Sequence, residues 1–452
     1  MTAGPPDRAR AAAYQLLRAV AARDAYANLV LPGLLRERQI EGRDAALATE
    51  LGYGTLRWLG SLDAVLAAAA SRPLAEIDPP LLDALRIGAY QLLHLRVPAH
   101  AAVSTTVDLT RAAVGPGPAK FANAVLRRVA QRDWEGWLGH LATGDPASDL
   151  GLRYGYPTWI VHAFADSLTA VGAGAELAAA LAAGSARPAV SLVARPGRIA
   201  RAELLAEAGP EARASDFSPL GVELAAGDPG DIPAVADGRA AVQDVGSQLV
   251  ALAMAAPALD ADQHWLDLAA GPGGKAAVLA GIAGARGARL LAVEPSAHRA
   301  RLTMRTLDGA AVVVQADGRV PAWRTESFDR VLLDAPCSGL GALRRRPESR
   351  WRRGPADVAR LAGLQRELLS AGLDAVRPGG LLGYATCSPH LAETRTVVAG
   401  ALDDRPQLTL VDARPFFAGV PDLGAGPDVQ LWPHRHGTDA MYFALIRVGE
   451  RT

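Results

Sequence analysis

The chain has 452 residues, enough for roughly two to four domains with sizeable cores. Its 47 Lys and Arg balance 47 Asp and Glu, so no overall field draws it to nucleic acid and any such binding has to use a local patch. No stretch approaches the roughly 18 uninterrupted apolar residues of a membrane span, and two separated cysteines make neither a disulfide framework nor a metal site.

In chain order, MTAGPPDRARAAAYQ lacks a signal-peptide core and reads as the entry to a helix. From residue 7 to about 140 apolar residues recur at spacings of three and four: Tyr14, Leu16, Leu17, Val20; Leu47, Leu51, Tyr53; Leu81, Leu82, Leu85, Ile87, Tyr90, Leu92, Leu93. Pro32-Gly33, Pro79-Pro80, Pro98 and Gly115-Pro116-Gly117-Pro118 punctuate them, so residues 1–142 are expected to form an all-α domain. Residues 143–238 mix helical AELAAALAAG with strand-like AVSLVARPG, a small α+β connector. From 239 to 452 short apolar strands alternate with helical stretches: 264–270, 289–295, 311–317, 328–336 and 380–388, near-continuously apolar and therefore a parallel sheet buried on both faces. Residues 428–433 and 440–448 read as a closing antiparallel hairpin.

Lysine occurs only at 120 and 275; Lys120 reads as an ordinary helix residue, whereas Lys275 ends a Gly-rich loop, Asp267-Leu268-Ala269-Ala270-Gly271-Pro272-Gly273-Gly274-Lys275, between the first strand of this sheet and a helix. A phosphate-cradling loop needs Gly where Ala269 stands and Ser or Thr where Ala276 stands, so that reading fails. The stretch from Gly271 to Ala276 fits G-x-G-x-x-A, common to dinucleotide and S-adenosylmethionine folds, with Glu294 where a ribose-binding acid belongs. Asp317 and Asp334 close the next two strands; Asp317 is expected at an adenine amino group and Asp267 at a methionine ammonium, a charge that nicotinamide cofactors lack. Cys337 and Cys387 each end an apolar run, VLLDAPCSG and GLLGYATCSP, a placement that points to thiols held at a site.

Taken together, DLAAGPGGK, DAPCSGLGALRRRPESRW, YATCSP and VQDVGSQL, with LGYGTLRW, ALRIGAYQLL and FANAVLRRV in the N-terminal half, resemble the RsmB/Sun group of S-adenosylmethionine-dependent RNA cytosine-5-methyltransferases over nearly the whole chain. The resemblance implies a multidomain protein: an all-α NusB-like N-terminal domain, the connector, and a C-terminal α/β Rossmann-like methyltransferase domain. Ala269 and Gly271 depart from the usual Cys and Ala of the loop, Thr394 stands where relatives have Asn, and Tyr442 and Phe443 carry the aromatic contact of a more usual Gly-Phe-Phe run.

The chemistry fits these residue types. Carbon 5 of cytosine is too weakly nucleophilic to take a methyl group directly, and thiolate attack at carbon 6 turns the ring into an enamine whose carbon 5 can attack. Asp334 is the candidate acid near ring nitrogen 3 and the exocyclic amine. The residues alone leave either cysteine open as the nucleophile; the resemblance assigns that role to Cys387 and product release to Cys337. S-adenosylmethionine would then be held by Asp267, Ala269, Ala270, Gly271, Pro272, Gly273, Gly274, Lys275, Glu294, Asp317 and Asp334.

Six arginines lie between 344 and 353, and Arg344, Arg345, Arg346, Arg350 and Trp351 are the candidate contacts to RNA around a target base in a single-stranded ribosomal RNA loop. For Arg8, Arg10, Arg127 and Arg128 a second RNA surface and intramolecular packing are equally open readings of the residues, and the resemblance implies RNA positioning on the helical domain. A monomeric, cytoplasmic enzyme without metal or membrane association is expected. The rival of a different class is a non-catalytic RNA-binding or antitermination-type factor with a relic cofactor fold, against which the retained thiols and four acids speak; a nicotinamide-dependent oxidoreductase is a third reading.

Overall fold

A computed structural model describes residues 7–23, 25–225 and 227–449. Residues 1–6 of the expected helix entry lie outside them; the first helix is Arg8–Arg23. The chain divides into two compact units: one runs to His162 and takes in Leu343–Arg353, and the other holds the rest.

The first unit is entirely helical, as its three-and-four spacing requires. Its helices include Gly42–Arg57, Pro79–His94, Ala99–Ala113 and Pro116–Val129, and the helices of 79–94 and 116–129 open on prolines in the first turn, where no backbone donor is lost. Leu16, Leu17, Leu51, Leu85, Ile87, Leu126 and Val129 make its core, each buried Leu worth roughly 1.5–3 kcal/mol. The LGYGTLRW run has a packing logic: a Cβ on Gly54 would stand 2.1 Å from the ring of Tyr90, whose hydroxyl donates to Glu50 at 2.6 Å. Arg10 is buried and its Nε donates to Gln91 at 2.8 Å, so this arginine packs the unit rather than facing RNA. Arg127 and Arg128 are exposed, as is Lys120.

Residues 343–353 carry a larger correction. The guanidinium of Arg350 is fully buried 4.0 Å from the ring centroid of Tyr156 and donates to the carbonyl of Gly155 at 2.7 Å. Trp351 donates from Nε1 to Leu56 O at 2.7 Å and covers Gly60, where a Cβ would lie 2.4 Å from its ring. Arg352 donates to the carbonyls of Val20 and Ala25, Glu348 accepts from the amide of Ala27, and Arg344 is buried. Arg350 and Trp351 are spent on backbone carbonyls at or just past helix ends and Arg344 is buried; these three are therefore not placed as RNA contacts, and of the five candidates only Arg346 is exposed while Arg345 is half-buried.

The second unit holds two sheets. The smaller comprises β1 (Val190–Ala194), β2 (Ala212–Ala214) and β3 (Gly221–Leu224) from the expected connector and β4 (Ala240–Val242) from just beyond its expected end, antiparallel in the order β2-β3-β1-β4. The larger sheet comprises β5 (His264–Asp267), β6 (Arg289–Val293), β7 (Val312–Val314), β8 (Phe328–Asp334), β9 (Val376–Thr386), β10 (Leu408–Val411), β11 (Val429–Gln430) and β12 (Tyr442–Val448), in the order β10-β12-β9-β8-β5-β6-β7, with β11 on β12. Strands β5 to β9 are mutually parallel, and successive side chains enter opposite cores: Trp265, Leu332 and Leu381 one, Leu266, Val331 and Leu382 the other. Burial of both faces is the reason for the unbroken apolar runs.

The expected hairpin forms, but over two residue pairs only; β12 pairs chiefly with β9 and with β10, a short strand the periodicity did not show. Tyr442 and Phe443 are core residues on opposite faces of β12, against Tyr384 and Phe417 respectively, and offer no aromatic surface. Among the described residues no helix is long and apolar enough to cross a membrane.

Because Trp351 both fills space over Gly60 and satisfies Leu56 O, Trp351→Ala is expected to destabilise the helical unit by about 3 kcal/mol, read as a lower midpoint in chemical denaturation followed by circular dichroism.

Candidate active site

Every carboxylate picked out in the second unit sits at a C-terminal strand end, where open α/β sheets bind ligands. β5 ends on Asp267, and the loop after it enters the helix Gly274–Ala285 through Gly273, whose φ of 107° lies in the left-handed region and favours glycine. At Gly271 a Cβ would meet Glu294 Oε2 at 2.2 Å, so glycine lets that carboxylate lie against the loop. Ala270 is buried, Ala269 half-buried, and Pro272 and Gly274 are exposed. Glu294, just past β6, is buried, accepts from Ser296 N at 2.9 Å and pairs with Arg299 at 3.3 Å. Asp317 differs: both its oxygens are held by Arg319, which also pairs with Glu367 at 2.8 Å.

The carboxyl group of Asp267 is buried; Oδ1 takes one long bond from Ala269 N at 3.4 Å and Oδ2 has no partner. Burial first, and then the charge of Asp334, push its pKa up to about 7 against the pull of Lys275. A buried acceptor left open in this way fits a ligand that brings a positive charge or donor. Lys275 reaches across to Asp334, Nζ to Oδ2 at 2.8 Å. Burial works against its charge, but the contact with Asp334 outweighs that, and the net direction is upward, so the ammonium keeps its proton.

β8 and β9 bring in the thiols. Asp334 is in register with Ala385, and the turns that follow place Cys337 Sγ 3.4 Å from Cys387 Sγ, both as free cysteines. The Cys337 pKa is driven well above its ordinary value, by the hydrogen bond to Cys387 first, then by burial and by the charges of Cys387, Glu393 and Asp334. The ammonium of Lys275 in turn interacts with Cys387. The hydrogen bond between the sulfurs can run in either direction; burial and the nearby acids oppose charge on Cys337, and the Lys275 ammonium interacts with Cys387.

Sequence reasoning missed the group that ties these turns together. Glu393, fully buried, accepts from Ser338 N at 2.7 Å, Ser388 Oγ at 2.7 Å, Gln365 Nε2 at 3.2 Å and the Ser338 hydroxyl. The available signal was the repeated Cys-Ser pair, at 337–338 and 387–388, with a lone acid shortly after the second. Thr394, where an Asn was expected, turns its hydroxyl back onto His390 O at 3.0 Å.

The family model for 16S rRNA methyltransferase RsmB/F matches residues 254–447, and the NusB family model matches residues 7–131. A protein of Mycobacterium tuberculosis strain H37Rv, named only as a methyltransferase, is 56% identical over 98% of this chain and 97% of its own length. Ribosomal RNA small subunit methyltransferase B of Vibrio cholerae is 36% identical over 91% of each chain. Among solved structures, PH0851 superposes with a TM-score of 0.82 at 22% identity, covering 98% of this chain and 99% of that one, a likeness of fold. With a helical N-terminal unit, paired thiols after adjacent strands and relatives matching end to end, the chain belongs to the RsmB/F family of ribosomal RNA methyltransferases and carries a NusB-type N-terminal domain.

Proposed function

We propose that the protein transfers a methyl group from S-adenosylmethionine to carbon 5 of a ribosomal RNA cytosine through a covalent cysteine adduct. The observation that carries this reading is the 3.4 Å approach of the two sulfurs beside Asp334 and Lys275. S-adenosylmethionine supplies an electrophilic methyl group on a sulfonium. Asp267, with its open oxygen, suits the cationic amino acid end, Glu294 the ribose, and the amides around Gly271, Gly273 and Gly274 the close backbone approach. For Asp317 to hold the adenine end, its pair with Arg319 has to open.

In the proposed sequence the Cys387 thiolate, favoured by Lys275 and by the hydrogen bond from Cys337, forms a bond to carbon 6 while Asp334 stabilises the charge that develops at ring nitrogen 3. Carbon 5 of the enamine would then take the methyl group as its bond to the sulfonium sulfur breaks, with S-adenosylhomocysteine as the leaving group. Cys337 holds its proton first of all because of its bond to Cys387. Once Cys387 is bound to the base that restraint is gone; Cys337 gives up its proton to solvent, and its thiolate then takes the carbon 5 proton, re-forming the double bond between carbons 5 and 6 and expelling Cys387 as a thiolate. The reaction needs a base outside any stack, which favours a single-stranded loop. Arg345 and Arg346 remain the phosphate contacts of the original five candidates.

Cys387→Ala is expected to abolish turnover on unmodified RNA and the denaturant-stable adduct on RNA carrying 5-fluorocytosine, whereas Cys337→Ala is expected to accumulate an adduct on unmodified RNA; an adduct surviving Cys387→Ala on a gel reverses the assignment.

Asp267 gives a pH signature. Its pKa is raised in the folded protein, so between about pH 4 and pH 7 the folded state holds a proton that the unfolded state has released. Stability from this group is present at low pH and is lost as pH rises through about 7. A cationic ligand binds the ionised form. S-adenosylhomocysteine affinity is therefore expected to rise up to about tenfold per pH unit below that pKa, with proton release seen by calorimetry in buffers of differing ionisation heat, and Asp267→Asn is expected to weaken binding and flatten the profile.

Replacing Arg345 and Arg346 with Ala is expected to weaken RNA binding and to reduce the slope of log affinity against log salt by about 1.4, the value for two phosphates on a single strand, measured by fluorescence anisotropy.

A further inference from the structure

Glu393 is the only carboxylate shared by both cysteine turns among the described hydrogen bonds. It accepts the amide that joins Cys337 to Ser338 and the hydroxyl of Ser388, which follows Cys387, while the two serine hydroxyls lie 3.2 Å apart. Gln365 closes the arrangement by donating both to Glu393 and to Pro336 O, the residue before Cys337, at 2.9 Å. Four donors converge on two oxygens, the pattern of an ionised acid and not of a protonated one. We propose that Glu393 is a positioning residue that clamps the two turns and, through its charge, assigns the nucleophile's role to Cys387.

The surrounding charges support this. Cys337 feels the acids Glu393 and Asp334, and the cation Lys275 interacts with Cys387; Tyr384, beside Cys337 and Glu393, and His390, beside Glu393, are further titratable neighbours. Negative charge next to Cys337 favours its thiol form, so the one proton of the pair stays on Cys337 and is donated to the Cys387 sulfur. Glutamine can keep the clamp without the charge: its carbonyl oxygen can accept from Ser338 N and Gln365, and its amide can donate to the serine hydroxyls, which rotate to accept.

The inference rests on the thiol chemistry proposed above, but its test needs neither RNA nor methyl transfer. Alkylation of each cysteine by iodoacetamide is followed by peptide mass spectrometry across pH, in the full chain, for wild type, Glu393→Gln, and the Ser338→Ala, Ser388→Ala double variant. In wild type Cys387 is expected to react at lower pH than Cys337. In Glu393→Gln the two profiles are expected to converge, with the rate ratio near pH 8 falling about tenfold, the equivalent of one pKa unit, while the serine double variant, with the charge intact, keeps Cys387 ahead. Equal displacement of both profiles, or no displacement, in Glu393→Gln overturns the proposal. So does a wild-type Cys337 that reacts at or below the pH of Cys387, a result that holds even if the glutamine variant does not fold. A wild type that shows the expected order yet forms no adduct with RNA would instead overturn the proposed reaction and leave the clamp standing.

Discussion

The parallel pairing of β8 with β9 is the constraint on which the site depends. Arg330 to Asp334 lie opposite Leu381 to Ala385, and the chain then leaves both strands at the same edge. Ala335 extends the pairing by donating to Ala385 O at 2.8 Å, and Gly341 N returns to Cys387 O at 2.9 Å. Because side chains alternate along a strand, a slip of one residue would turn Val331 and Leu333 out of one core and into the other, and would carry one sulfur about 3.3 Å along the strand. The two buried cores of the sheet therefore fix the distance between the thiols. Gly341 shows how little slack remains, since a Cβ there would stand 2.1 Å from Ala440 O.

The charges at this edge form a second level of organisation. Asp267 and Asp334 share one ammonium, Lys275, which is bonded to Asp334 and leaves an oxygen of Asp267 open, while Glu294 adds its charge beside Asp267. Keeping a buried carboxyl group half-protonated near neutral pH costs stability, and such sites are found where a ligand restores the balance. The loop glycines serve the same end by letting backbone and Glu294 come close together.

Much of this was legible from local pattern. Strands buried on both faces announce themselves as apolar runs, their ends mark where acids face a crevice, and Cys337 and Cys387 follow such ends directly. What local pattern could not show were partners remote in the chain. Glu393 acquires its role only when β8 and β9 become neighbours and the turn Leu391–Glu393 swings its carboxylate between two serines. The basic run at 344–353 looks like a solvated face because nothing nearby offers it acceptors; the carbonyls of Leu56 and Gly155 that receive Trp351 and Arg350 lie far off in sequence. Tyr442 and Phe443 read as a contact pair, although alternation along β12 sends one into each core. β10 is short and interrupted by Thr409, so its pattern was too brief to register.

The helical unit is not a bead on a string. Its polypeptide ends at His162 and resumes for Leu343–Arg353, a stretch lying directly downstream of the Cys337 turn. A gene fragment stopping at residue 162 would encode a bundle lacking the tryptophan over Gly60 and the guanidinium under Tyr156. The two halves of this enzyme therefore share one stretch of coding sequence, and recombination that exchanges the amino-terminal module as a block would have to carry a second, distant cassette with it.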